Sequence, residues 1–405
     1  MENRYDKYKD SGIAWIGVIP EHWEVRKGKN IFKKEERPVR DFDEIVTCFR
    51  NGEVTLRSNR RIEGFTNAVK EIGYQGVRKG DLVIHNMDAF AGAIGVSDSD
   101  GKSTPVYSIC TPRNDTEANT YYYAYLLRSY ALGGVIQSLA KGIRERSTDF
   151  RYKEFGELFY QQPPLAEQQA IADYLDRRCS EIDELIALQE EMITKLQSYK
   201  QSVITEAVTR GLDKNVPLKD SGIDWIGKIP EHWEITLFKR KITINNGKDY
   251  KNFSDAEIYP VIGSGGCFAY CSNYMYDGEA LLLGRKGTID KPLYVKGKFW
   301  AVDTMFYAIP HKDLHCKFSY YLALTFPFNL YSTSTSLPSL TQTDLGNIPV
   351  AFPSISEQQA IADYLDRRCS EIDELIALKQ QKIEKLKEYK KSLIFECVTG
   401  KRKVS

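Results

Sequence analysis

The residues most able to bind a metal ion lie in the second half of the chain. Cys267 and Cys271 are separated by three residues, and His311, His315 and Cys316 follow them. Thiolate and imidazole groups are the ligands that zinc prefers, so these side chains could form a zinc site. Their spacing matches no familiar zinc finger, and the corresponding part of the first half lacks them. Buried cysteines and surface histidines are therefore the favoured interpretation.

Motifs for methyl transfer and phosphate binding are incomplete. A methyltransferase that modifies a base amino group needs Asn or Asp before Pro-Pro and an aromatic residue after it, whereas Pro163-Pro164 lies between Gln and Leu. Residues 95–103 resemble a phosphate-binding loop, but five residues separate the glycines where the motif has four. Gly263–Gly266 lacks the spacing of a dinucleotide-binding loop. The sequence predicts no catalytic residue, no metal site and no cofactor bound by this chain.

Two pairs of repeated segments would position any functional side chains. Lys9–Val25 and Lys219–Ile235 are identical at 14 of 17 positions, and Glu167–Leu188 and Glu357–Leu378 are identical at all 22. The inserts between them are similar in size and unrelated in sequence. A constant frame around two different modules indicates one structure with two binding specificities. We expect structural roles for the repeated histidines and tryptophans: His22, His232, Trp15, Trp225, Trp23 and Trp233.

Each repeated 22-residue segment opens a long stretch with helical periodicity. Apolar residues recur at alternating spacings of four and three, which is typical of a coiled-coil seam. A helix of ~43 residues is roughly 65 Å long, and its apolar stripe needs a partner, which the other copy can supply in antiparallel orientation. Ser356 with Gln359 predicts a capping box at the start of the second helix. The predicted seam residues are Leu175, Ile182, Ile186, Ile193, Leu196, Val203, Leu365, Ile372, Ile376, Ile383, Leu386 and Leu393.

The inserts have the pattern of strands and turns with a short helix each. Equivalent strands are predicted at Asp81–His85 and Ala280–Gly284, and equivalent helices at Tyr121–Leu127 and Phe318–Leu324. The predicted fold class is α+β, with two globular mixed α/β domains joined by two long antiparallel helices and an internal pseudo-two-fold repeat. The predicted segments are an N-terminal arm (1–25), a first globular domain (26–163), a central helix (164–211), a second arm (212–235), a second globular domain (236–352), a distal helix (353–400) and a basic tail (401–405).

The composition is that of an ordinary globular protein. Of 405 residues, 42% are hydrophobic and 27% charged, and the net charge is +1. No apolar run approaches the ~18 residues that span a bilayer. The eight cysteines show no disulfide spacing, so we expect a reduced, cytoplasmic compartment. A positive excess of +4 over residues 26–160 (22 basic, 18 acidic) and +3 over 236–350 (12 basic, 9 acidic) supports DNA binding only weakly.

The repeated motifs indicate a function more specifically than the net charge does. The sequence SGIxWIGxIPEHWE before each insert, with EQQAIADYLD opening the long helix after it, resembles the specificity subunit of type I restriction-modification systems. The resemblance covers both copies of both motifs, in order. It implies that the inserts are target recognition domains, that each binds one half of an asymmetric bipartite site in double-stranded DNA, and that the helices set the spacing between them.

The resemblance also implies partners. Two methyltransferase subunits would dock on the frame and methylate adenine N6 with S-adenosylmethionine, while this chain has no catalytic role. It is left open whether two restriction subunits join, with ATP and magnesium, or whether the system is methylation-only or Type IIB-like. The competing interpretations are a chain with its own methyltransferase or nuclease site, and a coiled-coil scaffold for protein partners that recognises no DNA.

Base recognition uses Arg or Lys for guanine and Asn or Gln for adenine. In the first insert we favour the loop after residues 81–85 and the loop at 141–148, with an arginine cluster on phosphates. In the second insert the matching loops are 284–287 and 332–342, whose hydroxyl groups can contact phosphates or bases. The alternative for each is a solvated charged loop. The candidate residues are Arg57, Arg60, Arg61, Asn86, Asp88, Lys141, Arg144, Arg146, Arg285, Lys286, Ser334, Thr335, Ser336, Ser339, Thr341 and Gln342.

Overall fold

The computed structural model of the protein describes residues 4–60, 71–139, 149–253, 257–333 and 337–404. It divides into two compact units, the first formed by Met1–Leu188 with Gln381–Ser405 and the second by Gln189–Gln380. Each long helix therefore contributes one part to each unit. Among the described residues, no helix is long and apolar enough to cross a membrane.

The first unit contains a set of short strands and helices. Its strands are β1 (Tyr8–Asp10), β2 (Val18–Pro20), β3 (Glu24–Lys27), β4 (Phe32–Lys34), β5 (Val46–Cys48), β6 (Val54–Leu56), β7 (Gln75–Val77), β8 (Leu82–His85), β9 (Ile94–Val96), β10 (Gly101–Ser103), β11 (Tyr107–Pro112) and β12 (Phe159–Gln162). Its helices are α1 (Gly28–Ile31), α2 (Thr120–Leu132), α3 (Val135–Leu139) and α4 (Tyr152–Glu157). The long helix α5 (Leu165–Arg210) follows and continues into the second unit.

The main sheet of the first unit is antiparallel, with strand order β4-β11-β8-β9. Helix α2 begins after Asn119, whose side chain accepts the backbone N–H of Tyr122 at 3.0 Å, as Asn does at helix starts. The apolar residues of α2 are buried in a core that also contains Trp23 of the arm and Leu175 of α5. The arm, the insert and the long helix therefore share one core.

The second unit has the corresponding elements. Its strands are β13 (Leu218–Asp220), β14 (Lys228–Pro230), β15 (Glu234–Leu237), β16 (Ile242–Asn246), β17 (Tyr259–Gly263), β18 (Gly266–Cys271), β19 (Tyr276–Gly284), β20 (Leu293–Ala301), β21 (Met305–Pro310) and β22 (Pro349–Phe352). Its helices are α6 (Cys316–Ala323), α7 (Phe328–Tyr331), α8 (Gln342–Gly346) and the long α9 (Ile355–Val398), which continues into the first unit.

The two inserts share a strand order despite their unrelated sequences. In the second unit β16, β21, β19 and β20 are neighbours in the same sequence of pairings as β4, β11, β8 and β9. The predicted equivalence of the Asp81–His85 and Ala280–Gly284 strands is confirmed, because β8 and β19 occupy matching places. The sheet of the second unit is extended beyond β20 by the antiparallel hairpin β17–β18.

Within each unit, α5 and α9 pack antiparallel. In the first unit Lys390 binds Asp183 at 2.6 Å, and in the second unit Lys200 binds Asp373 at 2.6 Å. The predicted seam residues are all buried or half-buried. A polar layer interrupts the seam in the second unit, where the ammonium of Lys379 lies 3.4 Å from the amide oxygen of Gln189. Polar residues in the seam of a coiled coil can fix the register of its helices, and Lys379 and Gln189 occupy such seam positions.

The capping box predicted at Ser356 and Gln359 is wrong, because α9 begins at Ile355 and Ser356 lies inside it. The cap is Ser354, whose hydroxyl accepts the backbone N–H of Glu357 at 3.3 Å. The preceding Pro353 disfavours helical backbone in the residue before it, so the chain turns into the helix directly after the proline. The capping residue is the last one outside the helix, two positions earlier than the sequence pattern indicated.

The C-terminal residues pack against the first unit. The backbone N–H of Lys401 donates to the carbonyl of Glu396 at 2.9 Å, and its ammonium lies 4.2 Å from the centre of the Phe395 ring. The hydroxyl of Tyr8 donates to the carbonyl of Gly400 at 3.1 Å. The two ends of the chain therefore meet in the same unit, where the end of α9 supports the N-terminal arm.

Candidate nucleic-acid interface

The two repeated motifs bind each other in both units. In the first unit Glu167 accepts the indole N–H of Trp23 at 2.9 Å and lies 2.5 Å from Nε2 of His22. In the second unit Glu357 accepts the indole N–H of Trp233 at 3.1 Å and lies 3.0 Å from the imidazole of His232. Both indoles are fully buried. The first residue of each EQQ motif thus anchors the arm that precedes the insert.

The next residue of the motif holds the insert. The side-chain oxygen of Gln168 accepts the backbone N–H of Asn119, and that of Gln358 accepts the backbone N–H of His315, both at 2.8 Å. Asn119 and His315 are the capping residues of α2 and α6. Each glutamine is almost completely buried and donates its amide to two backbone carbonyls. The same frame residue therefore seats two different inserts through backbone atoms, which any insert sequence provides.

A third pair of identical frame residues completes this attachment. Asp176 accepts the hydroxyl of Tyr125 at 2.7 Å, and Asp366 accepts the hydroxyl of Tyr321 at 2.8 Å. Burial and the hydrogen bond to Asp366 both raise the pKa of Tyr321, so the phenol remains a donor. The tyrosines lie on α2 and α6, each six residues after the capping residue. The position of each insert relative to its long helix is therefore fixed by residues of that helix.

The repeated tryptophans are not all packing anchors. Trp225 is half-buried and meets Phe326 edge-to-face, with ring centres 6.0 Å apart. Its counterpart Trp15 exposes 39% of its surface, so the prediction of a packing role for Trp15 is wrong. The difference arises from the inserts, because Phe326 covers the indole in the second unit. Trp15 instead lines an open groove of about 1470 Å³ in the first unit.

In the first insert, the loop after β8 contacts the residues that lead into α4. The carbonyl of Asn86 accepts the backbone N–H of Phe150 at 3.1 Å, two residues before α4 begins. The Asn86 side chain is buried and accepts the hydroxyl of Ser108 at 2.8 Å. Asp88 is paired with Arg50 at 2.9 Å. Arg61, Lys141, Arg144 and Arg146 lie outside the described residues.

The arginines of the predicted phosphate cluster have partners within the insert. Arg57 is half-buried, with Nε 3.4 Å from the hydroxyl of Thr47. Arg60 is exposed, pairs with Glu53 at 3.1 Å and lies with its guanidinium carbon 4.1 Å from the centre of the Phe49 ring. Exposed pairs of this kind are weak, so Arg60 can exchange Glu53 for a phosphate at small cost.

In the second insert, the predicted loops meet directly. Lys286 and Ser339 form an isolated antiparallel bridge, and the carbonyl of Arg285 accepts the backbone N–H of Leu340 at 2.9 Å. Lys286 is exposed and Arg285 half-exposed at this junction. The hydroxyl groups of Ser339 and Thr333 are 2.8 Å apart. A cationic loop and a hydroxyl-rich loop thus form one continuous surface.

The remaining candidates in this insert have local partners. The hydroxyl of Thr341 caps α8 in a capping box with Asp344. Gln342 is exposed and donates to the carbonyl of Ile244 at 3.0 Å. Thr341 therefore shapes the loop, while Gln342 keeps its amide oxygen as an acceptor. Ser334, Thr335 and Ser336 lie outside the described residues.

Comparison with known proteins gives one consistent result. The model of the type I restriction modification DNA specificity domain matches residues 230–388. The chain is 24% identical to a putative type I restriction enzyme specificity subunit, MjaX, of Methanocaldococcus jannaschii, over 96% of both chains. It is 26% identical to the MjaVIII specificity subunit of the same organism, over 60% of this chain and 61% of that one. Residues 230–388 thus match the family model, and the chain as a whole is similar to type I specificity subunits.

Solved structures show the same fold. A chain from a study of complex assembly and conformational transition in a type I restriction-modification system has a TM-score of 0.75, at 15% identity, with 94% of this chain and 98% of that chain covered. The HsdS subunit of Thermoanaerobacter tengcongensis has a TM-score of 0.55 at the same identity and coverage. This chain therefore shares the fold of these solved structures.

The cysteines and histidines that the structure describes do not assemble into a metal site. Within the described residues, no group of three or more His, Cys, Asp or Glu side chains could hold a metal ion. Cys271 is buried as expected, whereas Cys267 is exposed on β18, contrary to expectation. Burial raises the pKa of the Cys316 thiol to about 12, so it remains protonated. His315 caps α6 and His311 lies 3.0 Å from the hydroxyl of Thr243.

Proposed function

We propose that this specificity subunit is the non-catalytic DNA-recognition component of a type I restriction-modification complex, in which each insert recognises one half of an asymmetric bipartite site. The main support for this proposal is the fold that the two inserts share. Both use one strand order, and in both the loop after the equivalent strand contacts residues near the end of the insert, Asn86 with Phe150 and Lys286 with Ser339. The sequences of these loops differ completely, so two different half-sites follow.

Two methyltransferase subunits would dock on the frame. Arg177 and Glu184 are exposed, lie outside the seam and recur unchanged as Arg367 and Glu374. Two copies of one partner need two equal surfaces, which these residues supply. The methyltransferase subunits would bind S-adenosylmethionine and methylate adenine N6. Restriction subunits that use ATP and magnesium would complete the nuclease form of the complex.

Co-expression with the cognate methyltransferase subunit is expected to place N6-methyladenine in one bipartite, non-palindromic motif. Genome-wide mapping in a host without adenine methylation measures this directly. The specificity subunit alone should produce no methylation. Methylation by the purified chain alone would overturn the non-catalytic assignment. An intact complex that methylates no defined motif would instead favour a protein scaffold.

Arg285→Ala is expected to weaken recognition of one half-site by about 1–3 kcal/mol. The Arg285 backbone is fixed by hydrogen bonds with Thr304 (2.8 Å) and Leu340 (2.9 Å). Its guanidinium donates to the carbonyl of Asp303 at 3.3 Å and lies 5.9 Å from the centre of the Phe306 ring. The side chain is thus held in place before DNA binds. Methylation rates on duplexes with single-base changes in the mapped motif measure the loss.

Two variants distinguish base recognition by Arg285 from general electrostatic attraction to DNA. Arg285→Lys keeps the positive charge but loses the planar pair of donors, so it should retain affinity and lose discrimination between bases. Lys228→Ala removes one exposed charge from the arm strand β14 and should leave discrimination unchanged. Equal losses for Arg285→Ala and Lys228→Ala would show a general electrostatic effect and contradict a recognition role for Arg285.

A further inference from the structure

The second insert contains an open cleft with aromatic walls. Hairpin β17–β18 forms one side of a cleft of about 520 Å³. The ring of Phe268 lies against the bare backbone of Gly263, where an added Cβ would be 3.2 Å from the ring carbon Cε1. Tyr250 meets Phe268 edge-to-face, with ring centres 5.9 Å apart. Two rings and a glycine-rich turn therefore border the space.

The aromatic side chains of this hairpin are exposed to an unusual degree. Phe268 exposes 60% of its surface and Tyr270 50%, whereas Cys271 on the opposite face of β18 is fully buried. The pairing of β17 with β18 shifts between Val261 and Ile262, and irregularities of this kind re-aim side chains at functional sites. Contiguous exposed apolar side chains mark interaction surfaces, so this hairpin is a candidate for one.

The cleft is continuous with the cationic loop already described. Thr304 lines the cleft, and its carbonyl accepts the backbone N–H groups of Arg285 (2.8 Å) and Lys286 (3.4 Å). Asp303 also lines the cleft, and its carbonyl accepts the guanidinium of Arg285. A DNA strand bound by Arg285 and Lys286 would therefore have the cleft beside it.

The lining groups favour a nucleobase over a phosphate. Asp249 and Asp303 line the cleft together with Lys251, and carboxylates repel phosphates and can accept hydrogen bonds from the amino groups of bases. Aromatic rings stack on bases of any identity. Methylation of adenine N6 requires the base to leave the helix, which leaves neighbouring bases unstacked. The two rings lie at 81° to each other, so such a base can stack on the face of one ring and meet the other at an angle.

We propose that Phe268 and Tyr250 form a stacking site for a nucleobase of the half-site recognised by the second insert, unstacked when the target adenine is flipped out. The proposal rests on the proposed function, because it needs DNA at the Arg285–Lys286 loop. It adds a contact outside the loops that the sequence indicated.

The test uses the full-length subunit in complex with its methyltransferase and a duplex containing the mapped motif. Phe268→Ala should weaken binding and methylation roughly ten-fold, since stacking on aromatic side chains has an effect of this size. Phe268→Tyr keeps the ring and should bind normally. Tyr270→Ala is the matched control, because Tyr270 projects from the same strand face but does not line the cleft. Methylation of single-base variants should locate the loss in one half of the motif.

Each outcome decides the proposal. Unchanged binding by Phe268→Ala, or an equal loss with Tyr270→Ala, would overturn the stacking site while leaving the mapped motif and the proposed function intact. Loss of the methyltransferase from purified Phe268→Ala complexes would assign the surface to a protein partner and also overturn it. If the wild-type complex methylates no motif, both the proposed function and this site are refuted.

Discussion

Replacement of Trp233 by alanine is expected to lower the free energy of unfolding of the second unit by about 3–5 kcal/mol. The indole is completely buried in the core that joins the arm, the insert and both long helices. Its N–H donates to Glu357, and its Cζ2 atom lies 3.4 Å from where a Cβ on Gly211 would be. Truncation therefore leaves a large cavity and deprives a half-buried carboxylate of a donor.

Amide hydrogen exchange in the native state measures this loss, because it reports the stability of each unit separately. Trp15→Ala is the matched control, since Trp15 belongs to the same repeated motif but is exposed. It should cost less stability than Trp233→Ala, because Trp15 keeps 39% of its surface exposed. Similar destabilisation by Trp233→Ala and Trp15→Ala would show that the indole of Trp233 does not join the arm to the helix.

The repeated helices could be predicted because local periodicity alone determines which face of a helix is apolar. A spacing of four and three residues through Leu175, Ile182 and Ile186 requires a buried stripe whatever the partner. The strands of the inserts could also be predicted from local sequence, because short apolar runs such as Asp81–His85 are bounded by turns. The exact start of α9 could not be predicted from the sequence, because Ser354 and Ser356 can both cap a helix. Only the backbone conformation distinguishes them.

The attachment of the inserts to the frame could not be predicted from periodicity. Gln168 and Asp176 are polar residues of an otherwise ordinary helix, and their partners Asn119 and Tyr125 lie about fifty residues earlier in the chain. One signal was present: these polar positions recur unchanged as Gln358 and Asp366. A coiled-coil seam requires only that its apolar residues recur in the two long helices. Identity at polar positions as well therefore indicates that these residues make contacts outside the seam. The exposure of Trp15 depended on whether the insert supplies a covering side chain, which the arm sequence does not encode.

These contacts make the inserts interchangeable in principle. Each is bordered by a buried tryptophan and a proline, Trp23 and Pro163 in the first unit and Trp233 and Pro353 in the second. The border strands form equal four-residue antiparallel ladders, β3 with β12 and β15 with β22. The first insert also donates to the carbonyl of Val398 from Tyr122 and Gln161, both at 3.0 Å. The position equivalent to Val398 in α5 is Val208, so the frame of the second unit has the same residue there.

A chimera in which Glu24–Gln162 replaces Glu234–Phe352 is therefore expected to fold and to assemble with the methyltransferase. It should methylate a motif made of two copies of the first half-site, inverted because α5 and α9 pack antiparallel. Methylation of the original motif should fall more than about 100-fold, since several wrong base pairs at ~1–3 kcal/mol each accumulate across a half-site. Methylome mapping of this chimera, and of the reverse one with two second inserts, identifies the half-site of each insert. A folded chimera that still methylates the original motif would place specificity in the frame and refute the assignment of recognition to the inserts.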